Sequence, residues 1–267
     1  MRWIIGDIHG MHRPLQGLIA AIARRDPSAH YIFVGDYVNR GPDSKKVIDL
    51  LLSLPRGTFL RGNHDDIFDL LLHGDCYICH PTARDPLGAF SWFMQHGLAE
   101  TLMSYGIDWS DLEAAMHRPS PERINEFAKA IPQSHKRFIR SLKPLYESDD
   151  CFVAHGYWGP DDPDDEPNLA SRVDGDPTLR YRLLWGRFTD AQIYNPKHWK
   201  RTGFFGHTPV LNYPAGAELV PVFGPKIVLV DTASALTASG MLSAICAETG
   251  TMLQADRGGE VVELPEQ

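Results

Sequence analysis

The segment "GDYVNRGPDS" at residues 35–44 decides how this chain is interpreted. It directly follows the apolar run "YIFV" at residues 31–34, which has the length and residue types of a buried strand. Glycines and polar side chains therefore crowd together where a strand ends. A single stretch of this kind is typical of an ordinary turn, but the chain repeats the arrangement elsewhere.

Four other apolar runs end in the same kind of motif. They are "GDIHG" at 6–10, "RGNHDD" at 61–66, "AHG" at 154–156 and "GHTP" at 206–209. In a parallel sheet the carboxyl ends of the strands meet at one edge, where such folds bind ligands. We expect that edge to collect the following side chains: Asp7, His9, Asp36, Asn63, His64, His155 and His207.

This set of side chains favours a metal site. An Asp or His in one loop is usually a polar surface residue, but independent turns would not keep selecting the same donors after an apolar run. Carboxylate, amide and imidazole ligands together suit two divalent transition metals better than Mg²⁺ or Ca²⁺, which prefer oxygen alone. Two such metals can deprotonate a water and stabilise a displacement at phosphorus. The pattern predicts a phosphoesterase, with one His kept off the metals as general acid and arginines holding phosphate oxygens.

The order of elements predicts an α/β fold. Helical periodicity at residues 14–25 and 44–54 alternates with the first strands, which gives β-α-β-α-β in the N-terminal third. Residues 66–145 have helical patterns, and strands predominate again after 151. We expect one domain over residues 1–267 with residues 66–145 as an inserted helical cap. The acidic, proline-rich segment at 159–168 predicts a solvated loop.

Composition restricts the partners. The net charge of −8 argues against nucleic acid, because phosphate backbones bind to basic faces. No apolar run approaches the ~20 residues of a membrane span, and no signal peptide pattern is visible. The sequence therefore predicts a cytoplasmic protein with neither a nucleic-acid nor a membrane partner.

Two of the four cysteines form a C-x-x-C-H pattern in "CYICH" at 76–80. Covalent haem attachment through such a pattern goes with export, which nothing in the sequence encodes. We expect Cys76 and Cys79 to be reduced thiols beside a helix end, and a zinc or redox pair is the alternative.

The motifs GD-x-HG, GDYV-x-RG and RGNHD, in this order and followed by HG and GHT, resemble those of the calcineurin-like metallophosphoesterases. The PPP-type (serine/threonine) protein phosphatases in their bacterial, lambda-phosphatase-like form are the most similar group. The resemblance runs from residue 1 to about 250. It implies two mixed β-sheets packed face to face and flanked by helices, with the site at the sheet edge.

The resemblance also implies metal ligands. Asp7 and His9 match ligands of a first metal, and Asp36 matches a carboxylate that bridges both. The matched ligands of the second metal are Asn63, His155 and His207. The implied ions are Mn²⁺ first, with Fe or Zn²⁺ as alternatives.

Three further residues match catalytic groups. His64 matches the general acid, and Arg40 matches an arginine that binds phosphate. Arg187, in "LLWGRF" at 183–188, is the candidate for a second phosphate-binding arginine.

Two positions depart from the protein phosphatase pattern, because Asn39 and Asp65 stand where Asp and Glu are usual. The family aspartate orients the acid, so we expect Asn39 beside His64 with its amide oxygen accepting an imidazole N–H. GNHD also occurs in the symmetrical dinucleoside tetraphosphate hydrolases. The leading hypothesis is a metal-dependent phosphatase of phosphoproteins or small aryl and alkyl phosphates. The alternatives are a symmetrical dinucleoside tetraphosphate hydrolase and a metal-binding regulatory protein with weak catalysis.

Overall fold

The computed structural model describes residues 1–78, 80–159 and 169–265. Its strands form two sheets. The strands are β1 (Arg2–Ile5), β2 (His30–Phe33), β3 (Gly57–Phe59), β4 (Leu145–Glu147), β5 (Cys151–Ala154), β6 (Thr202–Phe205), β7 (Val222–Phe223), β8 (Ile227–Leu229), β9 (Leu242–Cys246), β10 (Met252–Ala255) and β11 (Val261–Leu264). The helices are α1 (His12–Arg25), α2 (Ser44–Ser53), α3 (Asn63–His73), α4 (Pro86–Phe93), α5 (Leu98–Ser104), α6 (Trp109–His117), α7 (Pro121–Ala130), α8 (Gln133–Arg140), α9 (Leu169–Val173), α10 (Pro177–Trp185) and α11 (Asp190–Tyr194).

Both sheets are mixed. The first has the order β11-β10-β9-β1-β2-β3, with β1, β2 and β3 parallel and β9, β10 and β11 antiparallel to their neighbours. The second has the order β4-β5-β6-β8-β7, in which β5, β6 and β8 are parallel and the two outer strands run antiparallel. The parallel strands of each sheet carry the motif loops at their carboxyl ends.

The sheets pack face to face because their strands alternate between two buried faces. Ile4 and Ile32 of the first sheet lie in one cluster with Val153 and Phe204 of the second. The neighbouring residue Ile5 points the other way, into a cluster with the flanking helices. The observed layers are helices, sheet, sheet and helices, which confirms the fold that the sequence predicts.

The helical patterns at residues 14–25 and 44–54 correspond to α1 and α2. Leu15, Leu18 and Ile22 form the buried stripe of α1 on the first sheet. Six helices, α3 to α8, lie between β3 and β4, and α3 is buried from Asn63 to Leu72. The organisation as a single domain with a cap at residues 66–145 stays a prediction.

Two predicted features fall on residues outside those described. Residues 160–168 of the acidic segment and Cys79 belong to this group, so the loop and the Cys76/Cys79 pair stay predictions. Within the described ranges, no helix combines the length and the apolar character needed to cross a bilayer.

Candidate metal centre

Loops that follow strands bring the predicted residues together. Asp7, Asp36 and Asn63 come after β1, β2 and β3 of the first sheet, while His155 and His207 come after β5 and β6 of the second. All these side chains are buried, as are His9 and His64. The edge where the two sheets meet therefore carries a buried cluster of polar groups, which is stable only if its members have partners.

The backbone at this edge is strained. Five of the eight described non-glycine residues with positive φ belong to the motifs. They are His9 (46°), Asp36 (56°), Asn39 (72°), Arg40 (68°) and His207 (64°). Non-glycine residues in this region cost roughly 1–3 kcal/mol each and concentrate at functional sites.

Two motif glycines let backbone approach the carboxylates. A Cβ on Gly62 would lie 2.1 Å from Asp36 Oδ1, and a Cβ on Gly206 would lie 2.1 Å from Asp7 Oδ1. Any side chain at either position would displace a carboxylate of the cluster. The glycines of RGNHD and GHTP are thus explained by close packing.

Asp36 lies at the junction of two candidate ligand groups. His9, Asp36 and His64 offer ligand atoms within 4.8 Å of one another, and so do Asp7, Asp36 and His155. Asp36 Oδ2 is 3.4 Å from His9 Nε2, while Asp36 Oδ1 is 3.4 Å from His155 Nε2. A carboxylate shared in this way is placed to bridge two ions.

Asn63 joins the histidines of the second sheet to this cluster. Its Oδ1 lies 3.0 Å from His155 Nε2 and 3.0 Å from His207 Nδ1. The backbone N–H of His207 donates to both carboxylate oxygens of Asp7, at 3.2 and 3.0 Å. All six residues that the sequence proposes as metal ligands therefore lie in one connected cluster.

Hydrogen bonds fix two of the imidazoles in a ligating orientation. His9 Nδ1 lies 2.9 Å from Val38 O, and His155 Nδ1 lies 3.0 Å from Val34 O. A carbonyl can only accept, so each Nδ1 carries the hydrogen and each Nε2 turns its lone pair toward Asp36. Metal-bound histidines are typically held in this way by the nitrogen that does not bind the metal.

Burial controls the charge of the cluster. It lowers the pKa of His9 and His207, and it lowers the pKa of His155 to about 3, so these rings are neutral at pH 7. Burial also raises the pKa of Asp7 and Asp36 well above the usual range, and neighbouring carboxylates raise them further. The Arg40 charge offsets these increases only in part. Neutral imidazoles and under-compensated carboxylates fit a pair of divalent cations, which would stabilise the ionised carboxylates.

A cavity of about 240 Å³ opens beside this cluster. Its lining combines cluster residues, two arginines and aromatic rings. They are Asp36, Arg40, Asn63, His64, Trp92, Phe93, His96, Trp185, Arg187 and His207. Arg40 Nη1 donates to His9 Nε2 at 2.7 Å, and its Nη2 is 3.3 Å from His64 Nε2. Arg187 donates to Thr208 Oγ1 at 3.3 Å.

Asn39 lies beside His64, as the motif predicts, but with the opposite end of its amide. Asn39 Nδ2 is 2.9 Å from His64 Nδ1, whereas Asn39 Oδ1 accepts from the Thr101 hydroxyl at 3.0 Å. The expected contact through the amide oxygen is therefore wrong. Both ring nitrogens of His64 therefore face donor groups, Asn39 Nδ2 at Nδ1 and the Arg40 guanidinium at Nε2.

Asp65, which departs from the protein phosphatase pattern, has a structural role that its motif does not indicate. The structure shows that its carboxylate accepts from the backbone N–H groups of Asp36 (2.7 Å), Tyr37 (2.9 Å) and Gly62 (3.0 Å). It is fully buried, and burial raises its pKa to about 7. Asp65 therefore holds the GDYVNRG and RGNHD loops against each other.

Asp231 was missed, although a signal was present. The run "IVLVDT" at residues 227–232 also places an Asp directly after an apolar strand. Asp231 is buried, burial raises its pKa to about 6, and its charge contributes to the raised pKa of Asp7. Thr101, Trp92 and Trp185 were not singled out, although they lie in the stretches "WFMQHGLAETLMSYG" and "LLWGRF" that share in the family resemblance.

Two mixed sheets with a buried Asp, Asn and His cluster at their shared edge define a class of metal-dependent phosphoesterases. Residues 2–213 match the family of calcineurin-like phosphoesterases, and the chain belongs to that family. The predicted bacterial PPP-type subclass stays a prediction.

Relatives and solved structures differ in the substrate that their names state. A symmetrical bis(5'-nucleosyl)-tetraphosphatase of Coxiella burnetii is 30% identical over 161 residues, which cover 54% of this chain and 53% of the relative. The chain thus matches about half the length of that curated relative.

Among solved structures, a protein to which diadenosine tetraphosphatase activity is attributed has a TM-score of 0.51 at 21% identity. The match covers 100% of this chain and 93% of that protein. A cold-active protein-tyrosine phosphatase of a psychrophilic Shewanella has a TM-score of 0.52 at 16% identity, with 99% and 80% covered. These two structures support the fold.

Proposed function

We propose that this protein hydrolyses phosphomonoesters, either on phosphorylated proteins or on small aryl and alkyl phosphates, at a centre of two divalent metal ions. The observation that carries the proposal is the position of Asp36. It is shared by two ligand groups and lines the same cavity as His64, Arg40 and Arg187. A phosphoryl group in that cavity would face the candidate metal ligands, the proposed proton donor His64 and the guanidinium groups of Arg40 and Arg187.

The proposed ligands are those that form the buried cluster. Asp7, His9 and Asp36 would hold the first ion, and Asp36, Asn63, His155 and His207 would hold the second. By ligand-atom distance Asp36 belongs to both groups, while Asp7 lies with His155 and His9 lies with His64. When bound, the two ions supply an activated water and stabilise charge at phosphorus. We propose Mn²⁺ as the ion, with Fe or Zn²⁺ as alternatives, because imidazole ligands suit transition metals.

The two arginines are proposed to bind the phosphate oxygens that do not react. Arg40 lines the cavity and directs its terminal nitrogens at His9 Nε2 and His64 Nε2. An ion held by His9 Nε2 would take the place of the first contact and leave that nitrogen of Arg40 for the phosphate. Its planar fork matches two oxygens of a phosphoryl group. Arg187 lies on the same cavity and is oriented by the Thr208 hydroxyl.

His64 is proposed to protonate the leaving oxygen. Its Nδ1 lies 2.9 Å from Asn39 Nδ2, and its Nε2 lies 3.3 Å from Arg40 Nη2 beside the cavity. Thr101 fixes Asn39 through two contacts, since it donates to the amide oxygen and accepts from the backbone N–H at 2.7 Å. This chain of contacts orients the imidazole for proton transfer in the cavity.

A second candidate function is the hydrolysis of symmetrical dinucleoside tetraphosphates. The curated relatives at 30% identity carry that activity in their names, and the same centre serves both reactions. A third candidate is a metal-binding regulatory protein with weak catalysis, since Asn39 replaces a charged partner of the acid.

One panel of assays separates the three. Purified protein is treated with chelator, reloaded with Mn²⁺, Fe²⁺ or Zn²⁺, and incubated with phosphotyrosine and phosphoserine peptides, p-nitrophenyl phosphate and diadenosine tetraphosphate. We expect metal-dependent phosphate release from the monoesters, and little release from His64→Asn protein that retains its metal. Faster cleavage of the tetraphosphate supports the second candidate, and metal binding without turnover supports the third.

A further inference from the structure

Two tryptophans that the mechanism does not use form one side of the cavity. Trp92 in α4 and Trp185 at the end of α10 have near-parallel rings, with an interplanar angle of 17° and centroids 5.6 Å apart. His80 stacks on Trp92 at 4.5 Å and contacts Trp185 at 4.4 Å. Distant parts of the chain thus combine to fix the orientation of both rings.

Two more rings extend this surface. Phe93 and His96 contact Trp92 at 5.0 and 5.6 Å between centroids. We call the cavity-lining rings of Trp92, Phe93, His96 and Trp185 the aromatic wall. Both tryptophans are half-buried, His96 is exposed and Phe93 is buried, and all four residues line the cavity.

The aromatic wall lies next to the proposed reaction centre. The Trp185 ring is 6.3 Å from that of His207, and the Phe93 ring is 4.9 Å from that of His64. Arg40 and Arg187 line the same cavity. A phosphate ester bound by these arginines would therefore have its organic group within about one ring diameter of the wall.

The wall is suited to planar groups. Tryptophan rings stack on other π-systems at centroid separations of about 4.5–7 Å, and they bury a large apolar area when they do so. An alkyl ester such as phosphoserine has no ring to stack. An aryl ester or a nucleotide carries one.

We propose that the aromatic wall is a substrate subsite for a planar aromatic group, so that aromatic phosphate esters are preferred over alkyl esters. This inference rests on the proposed phosphoesterase function and names its substrate class. The short distances to His207 and His64 favour a ring attached directly to the ester oxygen. A nucleotide offers the alternative, because its nucleobase is also a planar ring that can stack on the wall, although ribose separates it from the phosphate.

The first test compares variants with wild type, one substrate at a time. Trp92→Leu and Trp185→Leu are assayed in the metal-loaded state on phenyl phosphate, AMP and glycerol 2-phosphate. For each substrate we compare the kcat/KM of the variant with that of the wild type. Because both proteins act on the same ester, the intrinsic reactivity of the leaving group cancels in this ratio. We expect a loss of roughly tenfold on the aromatic substrates and less than about twofold on glycerol 2-phosphate. Loss on phenyl phosphate alone identifies an aryl group, and loss on AMP alone identifies a nucleobase.

Matched variants exclude a general defect. Trp109→Leu removes an exposed tryptophan of α6 that does not line the cavity, and it should leave every ratio near one. Trp185→Phe keeps a stacking ring and should retain most of the preference. Equal losses on aromatic and alkyl substrates would overturn the proposal.

A binding measurement keeps the test independent of turnover and of variant folding. Metal-loaded wild-type protein is titrated with phenylphosphonate and with methylphosphonate, which share the phosphoryl group and resist hydrolysis. We expect phenylphosphonate to bind about tenfold more tightly, with the difference reduced in Trp92→Leu protein. Equal affinities contradict the aromatic subsite even if the enzyme is active. Unequal affinities support it even if the panel of esters shows no turnover.

Discussion

Arg40 joins the phosphate-binding and metal-binding parts of the site in one residue. Its guanidinium reaches His9 Nε2 at 2.7 Å and His64 Nε2 at 3.3 Å through two separate nitrogens, a planar fork that an ammonium does not reproduce. We predict that Arg40→Lys lowers kcat/KM for phenyl phosphate by roughly 10- to 100-fold, the cost of about 1.4–2.7 kcal/mol in transition-state binding. Bound metal, measured by elemental analysis, should stay unchanged. Arg24→Lys, on the exposed face of α1, is the control and should leave kcat/KM unchanged. Loss of bound metal from Arg40→Lys protein would show instead that Arg40 supports the metal ligands.

Asn39 places an amide donor, Nδ2, against Nδ1 of His64. An Asp at this position could only accept from Nδ1–H, and its negative charge would favour the imidazolium. We predict that Asn39→Asp raises kcat/KM on a phosphoserine peptide relative to p-nitrophenyl phosphate, because a poor leaving group needs the proton most. The ratio of the two activities should rise several-fold. Asn125→Asp adds the same charge on exposed α7 and should leave the ratio constant. An unchanged ratio in Asn39→Asp protein would mean that residue 39 does not tune the acid.

The residues of the centre could be predicted from sequence, but their finer contacts could not. Strand-end motifs identify Asp7, Asp36 and His207 because local composition reveals where strands stop. The orientation of the Asn39 amide depends on Thr101, which lies 62 positions away along the chain. No local pattern encodes such a contact, so the sequence-based expectation chose the wrong end of the amide.

At the scale of elements, helix α3 is fixed in the core by buried charges. Arg61 Nη1 donates to Asp66 and Asp69 at 2.9 and 2.8 Å, and Nη2 donates to the Ile139 and Arg140 carbonyls of α8 at 3.0 and 3.2 Å. These side-chain groups of Arg61, Asp66 and Asp69 are almost fully buried. The network therefore anchors the helix that carries Asn63 and His64.

We predict that Arg61→Ala lowers the free energy of unfolding by roughly 3–5 kcal/mol, because it removes the cationic partner of the buried Asp66 carboxylate, which then keeps only the backbone N–H groups of Tyr77 and Ile78. Asp69 retains its contacts with His73 and Arg140. Urea denaturation followed by circular dichroism measures the change. Lys129→Ala breaks the exposed Lys129–Glu126 pair of α7 and should cost less than about 1 kcal/mol. Similar costs for the two variants would indicate that water or other groups compensate the carboxylates.

His135 connects three helices through one buried ring. Its Nε2 is 3.0 Å from Asp49 in α2, and its Nδ1 is 2.9 Å from the hydroxyl of Tyr105, which follows α5. Burial lowers the pKa of His135, the Asp49 carboxylate partly offsets this, and Lys45 acts in the same direction as burial. The folded pKa thus lies below the unfolded value of about 6.5, so the unfolded chain binds the proton first as the pH falls.

We predict that this histidine makes the protein less stable as the pH falls below about 6.5, whereas its contribution is fully present above that pH. His135→Gln should flatten the fall in the urea midpoint between pH 7.5 and 5.5. His117→Gln, at the exposed end of α6, should keep the wild-type slope. A His135→Gln slope equal to that of wild type would assign the pH dependence to other groups.

At the scale of the whole molecule, the sequence predicts the local units better than their pairing. The β-α-β-α-β order of the N-terminal third follows from periodicity and is observed in β1 to β3 with α1 and α2. The same sheet also needs β9, whose residue Cys246 pairs with Trp3 near the other end of the chain. Such pairings depend on burial of the complete strand surface, and only the family resemblance indicated two sheets.

The proposed ligands also span the whole chain, since they run from Asp7 to His207 and come from both sheets. An unfolded chain cannot hold them together, so metal that binds only the native state should stabilise it. At a free metal concentration 100 times the Kd, one ion adds about 2.7 kcal/mol, which raises the Tm by roughly 5 °C for a chain of this size. We predict that chelation lowers the Tm, that Mn²⁺ restores it, and that saturation occurs near two ions per chain by elemental analysis. His207→Ala should shrink the metal-dependent shift while His117→Ala preserves it. An identical Tm with and without metal would contradict a centre that joins the two sheets.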